Sequence, residues 1–229
     1  FGLGGINRFS DEMYISPAKN HPGTEIRVKK FIYETTIVQQ PCPFDIGVAT
    51  NNHPLEKVNG DAFVVKIWDN SAVVCVIDGL GHGEAANFAA VKAQMYIESH
   101  FRNAILEIFS GVNRACMGTR GVVMALLSFN WEKKAIQYAN IGNIGLKIVN
   151  SDENNMMIRR GVLGLNPPNP IISTLTWDLN HIFILYSDGI TSHIDWEDNA
   201  LMNDRTATEN AIHLINKYNR HNDDATVIV

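Results

Sequence analysis

Apolar and polar residues alternate, or run together in short stretches, along most of this 229-residue chain, as they do in proteins rich in β-strands. Residues 23–31 alternate like a half-buried strand. From Phe44 the strand patterns come closely, at 44–49, 62–68 and 72–77, and Asp69-Asn70-Ser71 between the last two suits a hairpin turn. The period then lengthens. Residues 84–101 place Ala86, Ala90, Ala93 and Ile97 on one helical face, and 103–116 do the same with Ile105, Ile108, Phe109 and Val112. Strand patterns resume at 122–129, 135–141, 146–149, 156–160, 171–177 and 181–186, before a helix over 206–218 and a last strand over 225–229. This order predicts an α+β fold, most simply two packed antiparallel sheets flanked by helices.

The opening thirty residues differ. Phe1-Gly2-Leu3-Gly4-Gly5 leads into a short helical pattern over 6–13. One helix and one strand do not enclose a core. The segment is therefore expected either to pack on the main domain or to be the tail of a domain that begins earlier, and a start at Phe1 favours the second. We expect residues 1–33, a linker at 34–43 and a main domain at 44–229.

Hydrophobic residues at 45% fit a globular protein, and a net charge of −5 without a basic block argues against nucleic acid or an anionic membrane as partner. Cys42, Cys75 and Cys116 are far apart and form no metal-type pair; Cys75 lies in an apolar run and reads as a small core residue. Their odd number, with no leader-like opening, leads us to expect a reducing cytoplasm. No apolar stretch approaches the roughly 18 residues of a membrane span.

The chemistry lies in four acidic motifs at strand ends: Gly60-Asp61, Asp78-Gly79-Leu80-Gly81-His82-Gly83, Ser187-Asp188-Gly189 and Asp223-Asp224-Ala225-Thr226. Any one of them is explained by a turn. Together they are positioned to gather distant carboxylates on one sheet edge, and gathered carboxylates bind hard cations such as Mg²⁺ or Mn²⁺. Asp78 carries the most information, because it follows an apolar run and precedes glycines that let backbone approach a ligand.

These motifs resemble, in order and spacing, those of the metal-dependent PPM-type Ser/Thr protein phosphatases. Two helices after the first Asp-Gly, and the Gly142-Asn143 pair, look like the bacterial SpoIIE and stressosome-phosphatase branch. The resemblance covers about residues 44–229. It implies a β-sandwich with outer helices, and two Mn²⁺ or Mg²⁺ ions that activate a water for attack on phosphorus. By the same resemblance Asp78 bridges both ions, Gly79 lends its carbonyl, Asp188 and Asp223 hold one ion, and Asp61 reaches the other directly or through water. Many relatives outside this branch have His directly after Asp-Gly as a proposed proton donor. Leu80 stands there in this chain, which leaves His82 as a candidate two residues later. The implied substrate is phosphoserine or phosphothreonine on a STAS-type regulatory protein of an anti-sigma switch or stressosome.

Residues 1–33 resemble the end of a GHKL anti-sigma kinase-like ATPase domain, through Gly2 to Gly5 and Gly23-Thr24. Two other functions compete: a catalytically silent phosphatase-fold module that binds phosphoproteins, and a nucleotide-binding regulator that acts through the N-terminal glycines.

Overall fold

The computed structural model describes residues 12–18, 22–29, 41–151, 158–191, 194 and 205–229. The chain separates into two compact units, 1–38 and 39–229. In the first, β1 (Glu12–Pro17) and β2 (Thr24–Lys29) form an antiparallel hairpin. The helix expected over 6–13 lies largely outside the described residues, and its last two, Glu12 and Met13, belong to β1.

The second unit has two antiparallel sheets. The five-stranded sheet runs β4 (Asp61–Trp68), β5 (Ser71–Gly79), β6 (Val122–Asn130), β7 (Ala135–Ile141), β9 (Ser173–Leu175). The four-stranded sheet runs β3 (Val48–Asn51), β11 (Ala225–Ile228), β10 (Ile182–Tyr186), β8 (Gly145–Val149). Helices α1 (Glu84–His100) and α2 (Ile105–Ala115) cover the first sheet, and α3 (Ala207–Tyr218) covers the second. This is the two-sheet α+β fold that the pattern predicted.

Period-2 alternation sorts the core into layers. Along β5, Val73, Cys75 and Ile77 face α1 and α2, while Ala72, Val74 and Val76 face the other sheet. In β6, Met124 and Leu126 join the helix-facing layer, and Ala125 and Leu127 the layer between sheets. On the second sheet Leu185 and Ile228 point inward, whereas Ile184, Ala225 and Val227 pack beneath α3. The outer helix is fixed at its start by a capping box between Thr206 and Glu209, and Asp45 Oδ2 accepts the Ala207 N–H at 3.0 Å.

Two expected strands shift. Phe44 and Ile46 are half-buried against the inter-sheet core without pairing, and the strand begins only at Val48. Of the pattern at 156–160, Ile158–Arg160 are irregular, and Met156 and Met157 lie outside the described residues. A cavity of about 490 Å³, lined in part by Phe44, Trp177 and Phe183, opens between the sheets beside His181 and Val229. Those residues mark the ends of β10 and β11 remote from Asp188 and Asp223.

Ile77 is fully buried at the centre of the helix-facing layer. Ile77→Ala is expected to cost about 2–5 kcal/mol of unfolding free energy by chemical denaturation, without changing the far-ultraviolet spectrum.

Candidate functional site

The alternation that builds the core also places the acids. Asp61 and Asp78 are register partners at the open end of the β4–β5 hairpin, on the face that Phe63, Val65, Val74 and Val76 turn toward the other sheet. Across the gap, Asp224 and Thr226 share the inward parity of Ile228, and Ser187 that of Leu185. Asp188 and Asp223 lie just beyond the strand ends, half-buried. The structure thus brings Asp61, Asp78, Gly79, Asp188 and Asp223 to one end of the sandwich.

One hydroxyl joins the two sheets there. Ser187, fully buried, donates from Oγ to Asp61 Oδ2 at 2.6 Å and accepts the Thr226 N–H at 2.9 Å. The Asp61 N–H is in turn held by Asn59 Oδ1 at 2.8 Å. Asn143 donates to Asp188 Oδ2 at 2.7 Å, which gives the Gly142-Asn143 pair a direct role in orienting that acid. Gly79 donates its N–H to the Gly60 carbonyl at 3.1 Å.

Asp224 is the acid that sequence reasoning quoted but gave no role. It is 3% exposed; Oδ1 accepts the His53 N–H at 2.9 Å, and Oδ2 is buried without a hydrogen-bond partner. A Cβ on Gly60 would lie 2.6 Å from Oδ2, so a larger residue there would displace the carboxylate. The position of Asp224 just before β11, with the inward parity of Thr226 and Ile228, is the available signal.

The electrostatics are those of anions lacking a counter-ion. Burial pushes Asp78 up to about 9, and repulsion from Asp61, Asp188, Asp223 and Asp224 adds to it. Burial likewise raises Asp61 to about 7; the Ser187 hydrogen bond opposes this, while Asp224 and Asp188 reinforce it. Among the described residues no Lys or Arg is ion-paired with these acids. An orphaned buried carboxylate oxygen beside two acids whose ionisation is opposed by burial and mutual repulsion fits one kind of ligand, a hard cation that oxygen donors hold.

His82 stands apart, exposed on the glycine loop after Asp78, with Nδ1 2.7 Å from Glu56 Oε1. Leu80 instead packs against the inter-sheet core.

No protein-family model matches the chain. The phosphoserine phosphatase RsbX of Bacillus subtilis (strain 168) is 26% identical over 138 residues, 59% of this chain and 69% of RsbX. A solved structure from work on the bacterial stressosome as a modular system adapted to control secondary-messenger signalling is 31% identical. It superposes with a TM-score of 0.76 over 80% of this chain and 97% of its own. A crystal structure of RsbX in complex with magnesium has a TM-score of 0.69 at 23% identity, over 79% of this chain and 91% of that one.

The raised acids give a sign to pH dependence without added cation. Below about pH 4 both are protonated, folded or unfolded. Between there and about pH 9 the folded state holds protons that the unfolded chain has released, so stability falls as pH rises. The melting temperature in chelator is expected to drop across that window, and Asp78→Asn to flatten the drop. A rising melting temperature would contradict the charge arrangement.

Proposed function

We propose that this chain, which is similar to a phosphoserine phosphatase, is a metal-dependent enzyme of the PPM type for phosphoserine and phosphothreonine on a STAS-type bacterial regulatory protein. The observation that carries metal dependence is the partnerless Asp224 Oδ2 beside the repelling pair Asp61 and Asp78. The similarity to a phosphoserine phosphatase and to a stressosome structure supports the substrate class.

In this reading Asp78, the Gly79 carbonyl, Asp188, Asp223 and Asp61 would hold two ions, Mn²⁺ or Mg²⁺. The magnesium in the RsbX structure supports the ion type. Bound there, divalent ions supply a polarised water and neutralise charge on the phosphoryl oxygens. The chain's own residues do the positioning. Ser187 holds Asp61 at the sheet junction, Asn143 aims Asp188, and the His53 N–H fixes one oxygen of Asp224, leaving the other free. Hydrogen bonds to charged acceptors such as these contribute about 1.5–3 kcal/mol each.

The domain assignment belongs to the same proposal: 1–33 from a GHKL kinase-like domain, a linker at 34–43, and the phosphatase at 44–229. That residues 1–38 and 39–229 form separate compact units supports it. No helix among the described residues is long and apolar enough to cross a membrane, consistent with a cytoplasmic enzyme.

Release of phosphate from a phosphorylated STAS protein tests the reading. Chelator is expected to abolish it and Mn²⁺ to restore it. Asp78→Asn should remove it, while Ser187→Ala lowers metal affinity or activity about 10–100-fold, as loss of a group orienting a ligand does. Full manganese-dependent activity in Asp78→Asn would refute the site.

A further inference from the structure

Beside the acids, His53, Glu56 and His82 offer two imidazoles and a carboxylate whose ligand atoms all lie within 4.8 Å of one another. We propose that this trio is a second cation site of different chemistry, one that takes a borderline transition ion such as Zn²⁺ in preference to Mg²⁺.

The donor set supports that choice. The acid cluster presents oxygen alone, which suits hard ions. Two imidazoles and a carboxylate suit zinc, cobalt or nickel and leave positions open to water. Glu56 supplies the negative charge that such an ion needs.

The geometry is close to what an ion demands. His82 Nδ1 and Glu56 Oε1 are 2.7 Å apart, the spacing of a shared proton. At a tetrahedral zinc with bonds of about 2.0–2.1 Å, adjacent donors sit about 3.3 Å apart. An ion therefore replaces the proton by parting the pair roughly 0.6 Å. The His53 ring stacks on that of His82, with centroids 4.5 Å apart and planes 9° from parallel, so one ring must turn about its side-chain torsions for both lone pairs to meet on one ion. His53 Nδ1 accepts the Leu55 N–H at 3.2 Å, a long contact that an ion can displace.

The two loops are held in place independently of any ion. The His53 N–H is anchored on Asp224. The glycine loop is anchored by the Leu80 N–H on the Gly121 carbonyl, at 3.1 Å. Gly83, at φ 76°, clears the space that Glu56 enters, since a Cβ there would lie 2.8 Å from Glu56 Oε2. The His82 side chain is 54% exposed and that of Glu56 28%, which leaves an entry path. A bound ion ties the 53–56 loop to the loop that follows Asp78.

Titration of the full chain with Zn²⁺ by calorimetry, in excess Mg²⁺ to fill the acid cluster, tests the proposal. Co²⁺ serves as the visible-spectrum probe. One equivalent of Zn²⁺ is expected. His53→Ala and His82→Ala should each weaken it at least about tenfold and abolish the nitrogen-ligated Co²⁺ band, whereas Asp78→Asn leaves both intact. Glu56→Gln, which preserves shape, gives the same loss if a histidine variant fails to fold. No zinc binding overturns the proposal, as does binding lost in Asp78→Asn but retained in the double histidine variant.

Discussion

Burying a carboxylate costs free energy, and burying a second beside it costs more. Everything at the functional end of this protein depends on bearing that cost. Asp61 and Asp78 face each other across one hairpin, and Asp224 meets them from the opposite sheet with an oxygen that nothing in the protein satisfies. What holds them is the sandwich itself: a dry layer between the sheets, anchored by residues such as Val76, Leu127 and Ile228, and an outer layer under each set of helices. The Ser187 and Thr226 side chains are the neutral groups that oppose the rise of Asp61. A cluster of buried acids that destabilises its own fold is a common exchange of stability for function.

Much of this was legible because it is local. A strand of alternating residues announces which side chains share a face, and an acid that extends the alternation inherits that face. Asp78 after the apolar run of β5 and Asp61 at the start of β4 were therefore visible, as was the helix pair that follows. Asp224 is equally legible by parity with Thr226 and Ile228, whereas the resemblance assigns the ligand role to Asp223. Ser187 shares the parity of Leu185, but its role depends on a partner 126 residues away in the sequence. Phe44 and Ile46 misled for the opposite reason: apolar residues that plug a core edge from a loop have the composition of a strand without its partners.

His53 and Glu56 carried no sequence signal. The residues around them are polar, with Pro54 between, and read as an ordinary connection. Their convergence on His82 arises only once β4 and β5 bring the two loops side by side. Leu80 is the complementary case. Its position holds a histidine in many phosphatases outside the branch this chain resembles, and here it is an apolar anchor between the sheets. The polar residue of that loop is displaced outward to the rim.

The bond that joins the sheets links residues 126 positions apart, and the one that fixes Asp224 spans 171. Neither forms until nearly the whole sandwich has closed. Contacts of such long sequence range are late events in folding, after most loop entropy has been lost. The carboxylate cluster is therefore not assembled in the unfolded chain. The chain must collapse against the cost of burying these acids, and any group that interacts only with the assembled cluster acts chiefly by slowing escape from the native state.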